Sequence, residues 1–416
     1  MHSLIKPAAI ALCVFASVYA IARFSGKKGH TPEKYISTVN PPDGTGLPDD
    51  TSQAGATPSG KPLPKSSAKI QAAVLLDVSN SMDGLIDQAK AQLWNMVSVM
   101  GKATCDGAAP TVEIALYEYG RDDNDLRKGY VKQITNFTSD LDLVSKKLFS
   151  LTTNGGDEYC GQVMYSSLTE MKWDTAANSY KVIFIAGNED FLQGKLSFTK
   201  ACAEARKKNV IVNTIYCGDK MQGISEHWNL GSECGSGSFT NINQDAKIDD
   251  IATPYDSTIF ALNEQLNKTY IGYGAEGAAS SLRQEEVDKM NSKMNKSVMA
   301  KRASVKAKAE LYDNASWDLV DASKNDAAAY KKVDMKTLPD SLKTKSREEL
   351  KVFVDKKSAE RKQIQKAIED NNTKRESFIT TEKAKNATGK GDQTLETEIE
   401  RIVRQQAKRY NMIIHE

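Results

Sequence analysis

The stretch at residues 70–82, IQAAVLLDVSNSM, constrains the fold more than any other part of the chain. Its continuous apolar run is typical of a strand that is buried on both faces of a sheet. Apolar residues at helical spacing follow it over residues 83–100. We therefore expect Asp77, Ser79 and Ser81 to lie at the carboxyl end of a strand, on the turn into a helix.

This turn has the composition of a ligand site. Open α/β sheets bind ligands at the carboxyl ends of their strands. One carboxylate and two hydroxyls, from Asp77, Ser79 and Ser81, are hard oxygen donors that suit Mg²⁺, Ca²⁺ or Mn²⁺ better than Zn²⁺. The alternative is that these residues only cap the following helix, since Asp and Ser are favoured caps.

The rest of residues 68–275 alternates between strand and helix patterns, which predicts a doubly wound, mostly parallel sheet of the Rossmann-like α/β class. The predicted strands are 72–76, 112–119, 130–137, 181–186, 210–216 and 237–242, with 130–137 antiparallel to 112–119. The predicted helices are 84–100, 138–151, 162–173, 198–208, 224–230 and a closing helix at 259–270.

The D-x-S-x-S pattern after the first strand, and the paired glycines before the third helix, make residues 68–275 resemble a von Willebrand factor type A domain. The resemblance implies a metal-ion-dependent adhesion site at the upper edge of the sheet. Two serines would bind the ion directly, and the first Asp would act largely through water. A Thr and a second Asp would come from two later loops, and one position would stay open for a carboxylate of a partner protein.

Two of the implied ligand positions depart from the family pattern. Where the family has Thr after paired glycines, this chain has Asp157 and Glu158, and the position of the second Asp falls on Gly187. We expect Asp157 or Glu158 to coordinate the ion, with Asn188 or Glu189 as supporting acceptors. Mg²⁺ is the expected ion, and extra carboxylates make Ca²⁺ more competitive. The alternative is a degenerate site whose acids cap helices.

The amino-terminal residues predict targeting to or across a membrane. Residues 7–22 are uncharged and mostly apolar, which indicates that residues 1–28 are either a cleaved signal peptide or a membrane anchor. Residues 29–67 are rich in Pro, Gly, Ser and Thr, which is typical of a linker without a core. We therefore expect a membrane-anchored or exported protein.

The cysteines leave the redox state open. Cys105, Cys160, Cys202, Cys217 and Cys234 lie within residues 68–275, without a C-x-x-C motif that would indicate zinc. In an exported domain we expect a disulfide among Cys160, Cys217 and Cys234, most simply Cys217–Cys234. In a cytoplasmic domain all five could be free thiols.

Residues 276–416 predict a charged, α-helical, coiled-coil-like region. Long helices with narrow apolar stripes are expected at 282–309, 346–380 and 395–414. Such stripes allow self-association, although a solvated spacer is the favoured interpretation. The formal net charge of the chain is only +2, which gives no indication of nucleic-acid binding.

The function expected from the sequence is protein binding through a divalent cation, and not catalysis. A hydrolase would need His227 beside a nucleophile, and no G-x-S-x-G elbow or P-loop is present. An alternative is a cytoplasmic-side assembly module that works with an ATPase or another complex and has a degenerate metal site. A membrane-location reporter and a metal titration distinguish these two functions.

Overall fold

The computed structural model describes residues 65–246, 251–386 and 395–415. The predicted apolar segment at 7–22 lies outside the described residues, as does all but the end of the predicted linker at 29–67. Among the described helices, none combines the length and apolar character needed to cross a membrane. Residues 60–416 form one compact unit.

Six of the strands form one sheet in the order β4-β3-β1-β5-β6-β7. The strands are β1 (Lys65–Asp77), β2 (Ala103–Cys105), β3 (Ala109–Tyr119), β4 (Lys132–Thr138), β5 (Tyr180–Gly187), β6 (Ile211–Cys217), β7 (Ser236–Ile242) and β8 (Met412–Ile414). Only β4, at one edge, runs antiparallel to its neighbour, β3. The predicted doubly wound, mostly parallel sheet is therefore confirmed.

Helices cover both faces of this sheet. The described α-helices are α1 (Asp83–Met100), α2 (Leu141–Phe149), α3 (Cys160–Glu170), α4 (Phe198–Lys208), α5 (Lys220–Ser225), α6 (Trp228–Cys234), α7 (Asp256–Asn267), α8 (Gly277–Met294), α9 (Lys296–Ala307), α10 (Leu319–Asn325), α11 (Ala329–Lys332), α12 (Asp340–Lys343), α13 (Arg347–Asn386) and α14 (Leu395–Ala407). Helices α3, α4 and α6 pack on one face, and α1, α2 and α14 pack on the other. Neighbouring β5 residues Phe184 and Ile185 belong to these two different cores, as strand alternation requires.

The helix predicted at 259–270 is present, but its predicted place as the closing helix of the sheet is wrong. Helix α7, which occupies most of 259–270, packs against α9 and α13 through Ile259 and Leu266, and not against the sheet. Its place in the α/β core is taken by α14, whose Ile399 and Ile402 are buried with residues of β1 and α1. Helical spacing predicts which face of a helix is apolar, but not which of several apolar surfaces it covers.

The expectation of a solvated spacer after residue 275 is also wrong. Helices α8 and α9 stack on α1 and α2, where the Trp94 indole donates a hydrogen bond to Asn291 Oδ1 at 2.8 Å. The Arg302 guanidinium of α9 forms an ion pair with Asp142 of α2 at 2.6 Å, and both side chains are buried. The region is helical as predicted, but it is integrated with the α/β part. The division at residue 275 stays a prediction.

Two of the long predicted helices end early for local reasons. The predicted helix at 282–309 is divided at Asn295, whose side chain caps α9 by accepting hydrogen bonds from the backbone of Ser297 and Val298. The predicted helix at 395–414 ends at Ala407, and Asn411 then adopts a left-handed conformation. The chain continues into β8, which pairs antiparallel with β2.

Candidate functional site

The site is built on the end of β1, at the carboxyl edge of the sheet. Asp77 is the last residue of β1 and its side chain is fully buried. The Ser79 backbone N–H donates a hydrogen bond to Asp77 Oδ1 at 2.8 Å, while Asp77 Oδ2 has no hydrogen-bond partner among the described residues. A buried carboxylate oxygen without a donor carries a large desolvation cost. This atom therefore favours binding of a cation at this position.

The two serines lie together above Asp77. Ser79 Oγ and Ser81 Oγ are 3.3 Å apart, and the Ser81 hydroxyl donates to Asn188 Oδ1 at 3.4 Å. Ser79 is buried, whereas Ser81 is exposed. The structure therefore brings together Asp77, Ser79, Ser81 and Asn188, and their part in metal binding stays a prediction.

Glu158 joins this group and Asp157 does not. A Cβ on Gly120 would lie 2.8 Å from Asp77 Oδ1 and 2.9 Å from Glu158 Cγ, so the two acids meet over this glycine. Glu158 is buried, while Asp157 is exposed and accepts a hydrogen bond from the Tyr159 hydroxyl at 2.9 Å. Of the two acids predicted to replace the family Thr, the geometry favours Glu158.

Burial and mutual repulsion raise the pKa values of both buried acids. Burial raises the pKa of Asp77 to about 7, against the hydrogen bonds from Ser79 and with a further rise from the charge of Glu189. Burial raises the pKa of Glu158 to about 8, and the charges of Asp77 and Glu189 add to that rise. A cation among these carboxylates would offset the same repulsion.

Gly187 explains the missing second Asp of the family pattern. A Cβ on Gly187 would lie 2.5 Å from the Tyr119 hydroxyl oxygen and 2.9 Å from Asp77 Oδ2. The Tyr119 hydroxyl donates to the Ala186 carbonyl at 3.0 Å, which fixes the ring in this position. An acidic side chain therefore has no room at position 187, and this loop contributes Asn188 and Glu189 instead.

The loop that follows β5 is held in place by its neighbours. The Trp228 indole donates to the Glu189 carbonyl at 2.8 Å, and His227 Nδ1 lies 3.0 Å from Asp190 Oδ1. The Glu189 side chain is exposed, but its charge still raises the pKa values of Asp77 and Glu158. Glu189 therefore acts on the site through the electric field of its carboxylate.

Sequence reasoning missed what lies beneath the site. Cys160 and Cys217 are buried free thiols. Burial raises the pKa values of both thiols, and the nearby charge of Asp77 raises them further.

The expected Cys217–Cys234 disulfide is wrong, because Cys234 of α6 pairs with Cys202 of α4. Helices α4 and α6 pack side by side on one face of the sheet, whereas Cys217 ends a strand.

The donor set fits a small divalent cation. Asp77 Oδ2, Ser79 Oγ, Ser81 Oγ and the Glu158 carboxylate supply only oxygen donors, as Mg²⁺, Ca²⁺ and Mn²⁺ prefer. In the described part of the chain, no group of three or more His, Cys, Asp or Glu residues is arranged to bind a metal. Because the acidic side chains alone do not form a metal site, a cation would need the Ser79 and Ser81 hydroxyls as ligands.

The sheet, its single antiparallel edge strand and the D-x-S-x-S turn at the end of its first strand together decide the architecture. The α/β part of the chain has a von Willebrand factor type A fold. Within this type A fold, strand β1 is central, and the candidate cation site lies where β1 meets α1.

Comparisons with solved structures find domains of the same kind. The chain is similar to the SpRpn10 VWA domain, with TM-score 0.33 and 12% identity, over 43% of this chain and 91% of that one. It is also similar to proximal thread matrix protein 1 from the mussel byssus with a zinc-occupied MIDAS motif, with TM-score 0.32 and 14% identity, over 42% of this chain. It spans only 41% of that mussel protein. No protein-family model and no curated protein matches the chain.

Proposed function

We propose that this chain is a binding protein that holds a divalent cation with Asp77, Ser79, Ser81 and Glu158. A carboxylate of a partner protein would then bind to the cation. The observation that carries the proposal is Asp77 Oδ2, which is buried and accepts no hydrogen bond from the part of the chain that the structure describes.

The electrostatics of the site support a cation there. Asp77 and Glu158 are buried together, and the exposed Glu189 adds negative charge to the same edge of the sheet. Without a cation, the buried acids bind protons at neutral pH, as their pKa values of about 7 and about 8 indicate. Mg²⁺ is the expected ion, because the site offers few protein ligands and Mg²⁺ retains several waters. Ca²⁺ and Mn²⁺ are the competitors.

Each residue has a distinct part in this proposal. The Ser79 and Ser81 hydroxyls, 3.3 Å apart, would supply neutral oxygen ligands, and Asp77 and Glu158 would supply charge. Asn188 orients Ser81 through their hydrogen bond, and Glu189 acts at longer range. Because Asp157 already accepts a hydrogen bond from Tyr159, we leave it outside the ligand set.

The partner group follows from the chemistry of the cation. The Asp77 and Glu158 carboxylates would balance the charge of a divalent cation without filling its coordination shell, so a carboxylate of the partner could replace a bound water as a further hard oxygen ligand. A carboxylate is the anionic group that protein surfaces offer most often. Binding of this kind requires no catalytic residue, so we propose a binding protein and not an enzyme.

We propose that the domain works outside the cytoplasm, either exported or anchored through residues 7–22. Support comes from the Cys202–Cys234 disulfide, since such bonds persist mainly in oxidising compartments. Self-association through the carboxyl-terminal helices remains a further proposal. A reporter enzyme fused after residue 416, active on only one side of the membrane, tests the location directly.

Calorimetry tests the cation site. Residues 60–416, which form one compact unit, are titrated with Mg²⁺, Ca²⁺ and Mn²⁺ at pH 8. We expect heat from at least one ion, and we expect the Asp77→Asn and Ser79→Ala variants to lose it. The matched control is Ser98→Ala, a change on the far half of α1. Absence of heat and of thermal stabilisation with all three ions would contradict the proposal.

A second function keeps the domain on the cytoplasmic side as an assembly module with a degenerate site. The observation that favours it is Gly187, where no acidic side chain fits. This function predicts a reporter active in the cytoplasm and no binding of divalent ions. The two measurements therefore separate the two functions.

A further inference from the structure

Exposed apolar side chains flank the candidate cation site. Among the described residues, those that are exposed include Leu126 (62% exposed), Leu192 (45%), Met221 (68%) and Ile224 (38%). Leu126 lies in the connection after β3, Leu192 in the loop after β5, and Met221 and Ile224 in α5 after β6. We call these four residues the apical apolar surface.

The sheet topology places this surface around Asp77. Strand β1 lies between β3 and β5 in the sheet, and β6 follows β5. These strands are parallel, so their carboxyl ends meet at one edge, and the segments that follow them surround the β1–α1 turn. Leu126 therefore lies on one side of the cation site, and Leu192, Met221 and Ile224 lie on the other.

The segments that carry these residues contact one another. The Phe191 backbone N–H donates to the Glu226 carbonyl at 2.9 Å, which joins the loop after β5 to the end of α5. On the other side, Tyr159 packs against both Gly129 and Gly194, so it joins the connection after β3 to the loop after β5. The apical apolar surface is therefore presented by one continuous layer of loops.

Local hydrogen bonds fix the backbone at the exposed apolar positions. The Leu192 N–H donates to Asp190 Oδ1 at 3.0 Å, and the Met221 N–H donates to Asp219 Oδ1 at 2.8 Å. Next to Leu126, the Arg127 N–H donates to Asp125 Oδ1 at 2.9 Å. Exposed apolar side chains on a backbone that is already ordered lose little entropy on binding. Exposed apolar residues that are gathered at one edge of the sheet, and not scattered singly over the surface, are typical of an interaction site.

The charges of this edge restrict the partner. Exposed charges of both signs accompany the apolar residues: the acids Asp122, Asp157, Glu189 and Asp219, and the bases Arg127, Lys128 and Lys220. A partner segment that carries one carboxylate for the cation and is otherwise apolar avoids pairing like charges with either set. Charges of both signs also give an anionic membrane surface no uniform basic patch to bind.

We propose that the partner is a protein segment in which one carboxylate, for the cation, is flanked on both sides by aliphatic or aromatic side chains, for the apical apolar surface. This inference rests on the proposed function, because the cation positions the carboxylate. It adds that specificity comes from apolar contacts with Leu126, Leu192, Met221 and Ile224. Without these contacts, any exposed Asp or Glu would bind equally well.

A displayed library of random twelve-residue segments, selected on residues 60–416 with 1 mM Mg²⁺, tests the proposal. We expect the recovered segments to contain a single Asp or Glu with large apolar residues within about three positions on each side. The triple variant Leu126→Ser, Leu192→Ser, Met221→Ser is expected to bind the best synthetic segment at least ~30-fold more weakly, since buried apolar anchors each contribute on the order of tenfold. It should keep the heat of Mg²⁺ binding. The control variant Leu282→Ser, Val352→Ser, at exposed apolar positions elsewhere, should bind within about twofold of the parent.

Several outcomes would overturn the inference. One is equal binding of acidic segments whose apolar neighbours are replaced by Ser, and another is unchanged binding by the triple variant. Recovery of no segment, although Mg²⁺ binds with measurable heat, would also overturn it while leaving the cation site intact. Binding that persists in EDTA would instead overturn the proposed function, because the apolar residues would then act without a cation. Sedimentation of the chain with phosphatidylcholine vesicles, abolished in the triple variant, would assign the surface to lipid.

Discussion

Gln406 of α14 and Asn213 of β6 exchange two hydrogen bonds in the core of the molecule, at 2.6 Å and 3.1 Å. The Tyr180 hydroxyl of β5 donates to the same Gln406 oxygen at 2.9 Å. Gln406 lies 193 residues from Asn213 in sequence, and it bonds α14 to the centre of the sheet. The last described helix is therefore part of the α/β core.

This relationship predicts that Gln406→Ala destabilises the whole compact unit. The change leaves buried polar groups of Asn213 and Tyr180 without partners, each at a cost of about 1–3 kcal/mol. Chemical denaturation of residues 60–416 should show a loss of about 2–4 kcal/mol in the free energy of unfolding. Gln405→Ala, at the exposed neighbouring position, is the control and should change it by less than about 0.5 kcal/mol. Equal effects of the two changes would contradict the packing of α14.

Removal of residues 395–416 should have a larger effect than any single change. Leu395, Ile399, Ile402 and Val403 are buried in the core of the sheet, and their loss exposes the apolar residues they cover. We expect the truncated protein to bind a hydrophobic dye and to lose its cooperative thermal transition. For the same reason, a fragment of residues 68–275 is unsuitable for metal titration. A cooperative transition in the truncated protein would contradict this prediction.

An Asp at position 187, where the type A family pattern has one, should destabilise this protein. In Gly187→Asp, the new side chain would meet the Tyr119 hydroxyl and Asp77 Oδ2, where a Cβ alone lies at 2.5 Å and 2.9 Å. We expect a loss of about 2–4 kcal/mol in the free energy of unfolding, typical of overpacking combined with an added buried charge. Asn188→Asp, one residue later and partly exposed, is the matched control and should fold normally. Tighter Mg²⁺ binding by a stable Gly187→Asp protein would contradict the packing argument.

The stability of the metal-free protein should fall as the pH rises. The folded-state pKa values of Asp77 and Glu158 are raised to about 7 and about 8, so the folded protein holds protons that the unfolded chain releases above about pH 4. Their contribution is fully present below pH 4 and is lost as the pH rises through 7 to 8. For Asp77 alone the loss is on the order of 4 kcal/mol. Denaturation in EDTA from pH 4 to 8 measures it, and Asp77→Asn should flatten the curve.

Divalent ions should reverse this fall if the proposed site is correct. Because the cation competes with protons for the same carboxylates, its stabilising effect should grow from pH 5 to pH 8. Thermal unfolding with and without 1 mM Mg²⁺ at each pH provides the measurement. A pH-independent effect would indicate binding elsewhere on the protein.

The ion cluster between α2, α8 and α9 should hold the helical region to the α/β part. Arg302 bonds to both Asp142 and Asp288, and all three side chains are buried. Burial alone would raise the pKa of Asp288, but the charges of Arg302 and Lys306 outweigh it and lower that pKa. Arg302→Met leaves the buried Asp142 carboxylate without its cation, while Lys306 still pairs with Asp288, and should cost about 3–5 kcal/mol. Lys293→Met, at an exposed position of α8, is the control for unfolding by denaturant.

The cysteine pairing can be read by mass spectrometry. In unfolded, non-reduced residues 60–416, iodoacetamide should modify Cys105, Cys160 and Cys217 but neither Cys202 nor Cys234. Reduction should add those two sites. A disulfide between residues 32 positions apart should contribute about 3 kcal/mol to stability. Modification of Cys202 without prior reduction would contradict the pairing.

The local sequence determined the strands, the order in which they alternate with helices, and the turn that carries Asp77, Ser79 and Ser81. Each depends on short-range patterns: a continuous apolar run for a buried strand, helical spacing for α1, and small polar residues between them. Such patterns act over a few residues, so one sequence displays them directly. The site residues on the first turn were therefore predictable.

Only the tertiary structure decided which distant parts meet. The choice of Glu158 over Asp157, the exclusion of a side chain at Gly187 by Tyr119, and the Cys202–Cys234 pairing depend on contacts between segments far apart in the chain. The same is true of α14, which covers the sheet in place of α7. An apolar stripe drives a helix to be buried, but burial is nondirectional, so the shape and polar groups of the whole core select its partner.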